Sequence, residues 1–161
     1  DAMLDLRRPM PTLELQLDLV DIEAHVRLRN SGSATALVLH DVHVQPSRPI
    51  LRDSSGREVP AIDERTHMKF DARVFESMFV QLPPGGSLDL ETAAFERERK
   101  RWSFRWGNFS YERLEPGTYT LEFVWTSAVA DALDDSSEVA EPVPGVWLGE
   151  LHTQVETIEL R

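Results

Sequence analysis

"LEPGTYTLEFVW", residues 114–125, decides the fold. Pro116-Gly117 is a turn pair, and apolar residues then fall at every second position. Tyr119, Leu121, Phe123 and Trp125 share one face; Thr118, Thr120, Glu122 and Thr126 share the other, with Val124 the apolar exception. A period of two is that of a β-strand with one buried and one wet face. Three of the four inward residues are aromatic, and each can bury ~150–250 Å². The strand is therefore expected to lie centrally, with Tyr119, Phe123 and Trp125 as structural anchors.

The same period recurs on either side. Leu13, Leu15, Leu17 and Leu19 alternate with polar residues, and the phase then slips to Ile22, Ala24, Val26 and Leu28. That slip calls for a bulge or tight bend near Val20-Asp21. "NSGS" (30–33) and "PPGG" (83–86) are turns, and "LRDSSGREVP" (51–60) reads as a hairpin around Ser54-Ser55-Gly56. Further strands are expected over 36–44, 74–82 and 146–160, the last with a bulge near Glu156-Thr157. "AAFERERKR", residues 93–101, is the one segment read as helical, a turn or two. The total, about eight short strands with turn signals every ~10 residues, predicts an antiparallel sandwich.

The chain has 161 residues, enough for one full core, and is read as a single domain with residues 1–10 as a flexible segment or a processing remnant. With 41% hydrophobic and 28% charged residues it has a globular composition. A formal net charge of -11 disfavours a nucleic-acid partner, because phosphate backbones attract basic surfaces. There is no cysteine, hence no disulfide, thiolate metal site or cysteine nucleophile. No run approaches the ~20 apolar residues of a membrane helix.

The order Leu-x-Pro-Gly-x-Tyr resembles the tyrosine corner of Greek-key sandwiches, in which the phenol bonds backbone just upstream, here near Arg113 to Pro116. Together with "N-x-G-S" at Asn30 to Ser33 and "VW-x-GEL" at Val146 to Leu151, it makes the chain resemble exported bacterial immunoglobulin-like β-sandwich domains. The resemblance implies an all-β, immunoglobulin-like antiparallel sandwich with Greek-key connections and an extracytoplasmic location: periplasmic, secreted or lipid-anchored. Trp147 is expected in its core. Some comparable sandwiches inhibit proteases through their loops, although no inhibitory loop motif is recognisable here. The antibody-type cysteine pair and strand-C tryptophan are absent.

Among candidates for chemistry, His40 and His43 lie three apart, which in a strand sends the rings to opposite faces. His25, His67 and His152 stand alone. With neither cysteine nor H-E-x-x-H, no zinc site is expected. Asp131, Asp134, Asp135, Glu138 and Glu141 crowd one loop, but without the D-x-D-x-D-G spacing of a calcium loop. They are read as a solvated acidic loop that could serve as a wedge. No hydrolase elbow or phosphate loop is present, so no catalytic residue, metal or cofactor is assigned.

"RERKRWSFRW", residues 97–106, is the strongest binding candidate. Arg97, Arg99, Lys100, Arg101 and Arg105 sit among Trp102, Phe104 and Trp106 in an otherwise acidic chain. Arg and Trp are enriched at binding hot spots. If the segment is extended, its aromatics share one face. They either pack in the core, leaving the cations for an acidic protein partner, or join the cations in the binding surface, with Trp102 and Trp106 as contact residues. Three functions follow as expectations. The first is a non-catalytic extracytoplasmic interaction domain acting through its loops. The second is an inhibitor or immunity protein blocking a secreted hydrolase. The third is a carbohydrate-binding module with Trp102 and Trp106 as the platform.

Overall fold

The computed structural model describes residues 11–41, 44–64, 73–134 and 139–161. Over these it is all-β, with fourteen strands, a 3-10 turn at Glu76–Met78 and no α-helix. The larger sheet has six strands in the order β1 (Leu13–Val20), β2 (Glu23–Asn30), β7 (Ser87–Glu98), β8 (Arg101–Trp106), β9 (Phe109–Leu114) and β5 (Ile62–Asp63). The second sheet is built on β10 (Gly117–Ser127), the strand read first in the sequence. One edge of β10 pairs with β4 (Ser47–Arg52); the other takes β14 (Glu156–Leu160) beside its first half and β13 (Gly149–His152) beside its second. Two short ladders, β3 (Ala36–Leu39) with β6 (Phe79–Leu82) and β11 (Asp131–Ala132) with β12 (Glu141–Pro142), complete the set. All these ladders are antiparallel.

The sheets meet through the aromatics that the alternation assigns inward. Trp106 of β8 packs on Phe123 of β10 with ring centroids 4.4 Å apart, and Phe95 stacks on Phe104 at 4.1 Å. A buried aromatic polar atom needs a partner, and each supplies a tie. The Trp106 indole N–H donates to the Ser47 hydroxyl at 2.9 Å, the Tyr111 hydroxyl to the Pro49 carbonyl at 3.2 Å, and the Trp125 indole N–H to the Gln45 carbonyl at 3.1 Å. The first two bind the six-stranded sheet to β4. Trp147 is half-buried and stacks on Trp125 at 5.9 Å. Tyr119 is buried, and its hydroxyl donates to the Glu115 carbonyl at 2.7 Å, within the stretch the corner motif indicated.

The slip at Val20-Asp21 is a tight hairpin bend: Val20 pairs with Glu23, and Asp21 adopts φ 55. The hairpin at 51–60 also forms, with the Asp53 carboxylate accepting from Ser55 and Arg57. Those bonds, led by the Ser55 hydroxyl, hold the Asp53 carboxyl below its usual pKa.

Four local expectations are corrected. The strand expected over 36–44 ends at Leu39. Residues 93–101 are not helical: β7 runs through Glu98, and Arg99-Lys100 is the two-residue turn into β8. Charged residues of good helix propensity override nothing when Phe95 has a stacking partner across the ladder. The strand expected from Val74 begins only at Phe79, after the 3-10 turn. The last strand is two strands, β13 and β14, separated by 153–155. There the Thr153 hydroxyl accepts from the Phe123 N–H at 3.0 Å while Val155 is exposed, so the phase change falls at this break and not at Glu156-Thr157.

Candidate functional site

The β7–β8 hairpin carries the basic segment, and its extended backbone separates aromatics from cations as alternation requires. Trp102, Phe104 and Trp106 are 9%, 1% and 0% exposed. Trp102 spends its indole N–H on the carbonyl of Arg161, at 3.1 Å. Neither tryptophan offers a face to a ligand, so the sugar platform is not formed and both belong to the core.

The cations are exposed, but they are not equivalent. Arg101 is ion-paired with Glu115, and Arg105 with Glu64 at 2.6 Å. The Arg97 Nε–H donates to the Arg99 carbonyl at 3.1 Å, bracing a turn in which Arg99 adopts φ 58. Arg99 and Lys100 have no ionic partner among the described residues, so the tip carries two unneutralised positive charges side by side.

The acidic segment is elsewhere. Trp102 and Gly117 both meet the C-terminal end of β14, through Arg161 and Leu160, so the hairpin tip and the start of β10 lie at one end of the sheets. β10 then runs eleven residues to Ser127, and Asp131 follows at the far end. The basic and acidic candidates thus face opposite ends and cannot form one site. Asp131 sits in β11 opposite Pro142, and Asp131, Asp134 and Glu141 are exposed. Asp135, Glu138, His43, His67 and residues 1–10 lie outside the described residues. Among the described residues no group of three or more His, Asp or Glu could hold a metal ion, and no helix is long and apolar enough to cross a membrane.

A second surface was missed from sequence. The outward residues of β7, β8 and β9 frame a basin of about 650 Å³, floored by Ala94, Ser103 and Ser110 and flanked by Glu91, Glu96, Glu112 and Arg105. Glu91 Oε1 accepts the Gly107 N–H at 2.6 Å, which fixes the β8–β9 turn against β7. The signal was present as Thr92, Ala94 and Glu96 alternating with Ala93 and Phe95, but reading 93–101 as helix scattered these residues over different faces.

Comparison of the chain with family models, with curated proteins and with solved structures finds no match.

Proposed function

We propose that this chain is a non-catalytic, immunoglobulin-like sandwich domain that docks an acidic protein through the tip of the β7–β8 hairpin. The observation that carries the reading is the sorting of charge along residues 97–106. Their aromatics are buried and two of their arginines are neutralised, while Arg99 and Lys100 stand unpaired among the described residues on a turn braced by Arg97. Unpaired cations in a chain of net charge -11 would steer an acidic partner to this end and repel it from the rest. The immunoglobulin-like assignment is supported by the Tyr119 corner, by β2 pairing with β7, and by β4 and β14 flanking β10. The extracytoplasmic location rests on the sequence resemblance alone.

The test is affinity capture from host extract with the wild-type chain and an Arg99→Glu/Lys100→Glu variant, with bound proteins identified by mass spectrometry. Loss of an acidic partner on charge reversal is the expected result. Retention of every partner would sink the proposal. A secreted hydrolase inhibited by the wild-type chain would make the inhibitor role the specific form of it.

A further inference from the structure

We infer that the free edge of β1 docks a second copy of this chain, whose own β1 pairs with it antiparallel across a two-fold axis at Leu15. The inference concerns another surface and does not depend on the hairpin tip. An uncovered sheet edge is a template for a further strand, and the edges of this fold differ in cover. On the outer side of β4 the Val59 N–H donates to the Leu51 carbonyl, Pro49 has no N–H to offer, and its carbonyl takes the Tyr111 hydroxyl. β5 has only two residues, and the edge formed by β13 and β14 is broken at 153–155. β1 runs for eight residues without proline, lysine or bulge, and pairs only with β2.

The phase of the ladder fixes which groups are free. The Ser31 N–H donates to the Thr12 carbonyl at 2.8 Å, so Thr12 turns its backbone to β2, and by alternation so do Glu14, Gln16 and Asp18. Leu13, Leu15 and Leu17 therefore aim N–H and C=O at the open edge. The far side of β2 keeps the same phase: Asn30, opposite Leu13, turns its N–H to Gly86 and its carbonyl to Gly85. Among the described residues one side chain reaches the edge, Gln154, whose Nε2 donates to the Leu17 carbonyl at 3.4 Å. A carbonyl has a second lone pair. Two such edges centred on Leu15 exchange about six backbone hydrogen bonds, through Leu15 with Leu15 and Leu13 with Leu17 on each side. Pro11, falling opposite Leu19, ends the ladder.

The outward row of β1 selects both partner and register. Leu13, Leu15 and Leu17 are already buried, so Glu14, Gln16 and Asp18 are the side chains that meet a new strand on the solvent face. Centring on Leu15 sets Glu14 against Gln16 of the second copy and Asp18 against its Thr12, so no carboxylate opposes another. Gln16 is poised for this role. Its Oε1 accepts from the Arg27 Nε–H at 3.0 Å, while its amide N–H groups have no partner among the described residues. They would donate to the Glu14 carboxylate of the other copy, and symmetry makes the contact twice. Arg29, which lies opposite Glu14 on β2, completes a row of arginine, glutamate, glutamine and arginine across the join. A slip that puts Gln16 against Gln16 would instead oppose Glu14 to Asp18 at two places. The charges thus permit the strand to pair with itself and fix how it does so.

The test is sedimentation of the full chain from about 10 μM to about 1 mM, the range in which a small interface dissociates, with amide hydrogen exchange followed by NMR at both ends. A doubling of mass is expected. The amides of Leu13, Leu15 and Leu17 should slow only at the high concentration, while those of Glu14, Gln16 and Asp18 are protected throughout. Gln16→Glu keeps an acceptor for Arg27 and should keep the wild-type melting curve. It sets a carboxylate against Glu14 of the second copy at two places and should weaken association about tenfold. Adding Glu14→Gln exchanges the two groups across the join and should restore wild-type association. A monomer at every concentration, or a dimer whose leucine amides still exchange freely, would overturn the inference. So would protection of those amides only on adding a foreign protein, or a double variant no better than Gln16→Glu.

Discussion

The Tyr119 hydroxyl donates to the Glu115 carbonyl across Pro116-Gly117, closing the turn by which the chain leaves β9 in one sheet and enters β10 in the other. Burial, with the Glu115 and Asp53 carboxylates nearby, pushes the phenol's pKa up, so it remains a donor through the neutral range. Removing the hydroxyl in Tyr119→Phe leaves the ring in place and one carbonyl unlatched. The variant should lose about 1 kcal/mol of stability, read by urea denaturation, with unchanged capture at the hairpin tip. An unchanged denaturation midpoint would show that the ring alone makes the corner.

Most of this architecture is legible because β10 keeps a period of two with Val124 its one exception, and three of its four inward residues are aromatic. The alternation assigns Tyr119, Leu121, Phe123 and Trp125 to the core, and all four are buried there. Residues 93–101 were not legible for a physical reason. Beyond Phe95 the β7 arm of the hairpin carries only Glu96, Arg97 and Glu98, charged on both faces, and the ladder to β8 is what keeps it extended. The basin was hidden by the same error, since Glu96, Ser103 and Glu112 converge through register across three strands. Ion pairs such as Arg105 with Glu64, 41 positions apart in the chain, leave no local sequence signal either.

Asn30 gives a sharper test of the turn that joins β2 to the rest. It is fully buried and satisfied on every side. Its backbone N–H donates to Gly86 and its carbonyl accepts from Gly85; Nδ2 donates to the carbonyls of Ala34 and Leu82, at 2.8 and 2.9 Å. Asn30→Asp replaces those two donors with an oxygen facing two carbonyl oxygens. A loss of about 3 kcal/mol is expected at neutral pH. Part of it should return in acid, because burial raises the new carboxyl's pKa and its protonated form can donate one bond. A variant as stable as wild type would mean that the turn reorganises freely.

Gly149 opens β13 where only a glycine fits. At φ 154 a Cβ would lie 2.8 Å from the Trp147 ring, which is itself stacked on Trp125. Gly149→Ala must therefore displace the indole. We expect a loss of about 1–3 kcal/mol, in the range of overpacked cores, together with a shift in tryptophan fluorescence. Lost stability without a fluorescence change would place the strain in the backbone instead.

Alkaline pH tests the join between the sheets through Tyr111. Burial, with Glu58 adding to it, raises this phenol's pKa to about 12 from the model-peptide value of 10.0. Below pH 10 the phenol is protonated in both folded and unfolded chains, and its contribution is constant. Between about 10 and 12 only the unfolded chain ionises, so stability should fall by up to about 1.4 kcal/mol per pH unit and then level off. Tyr119, the only other tyrosine, is shifted the same way and steepens the fall. Urea denaturation at stepped pH should therefore show a shallower decline in Tyr111→Phe than in wild type, after starting from a lower stability at neutral pH through loss of the bond to Pro49. Parallel declines would mean that the phenol ionises as readily in the folded chain as in the unfolded one.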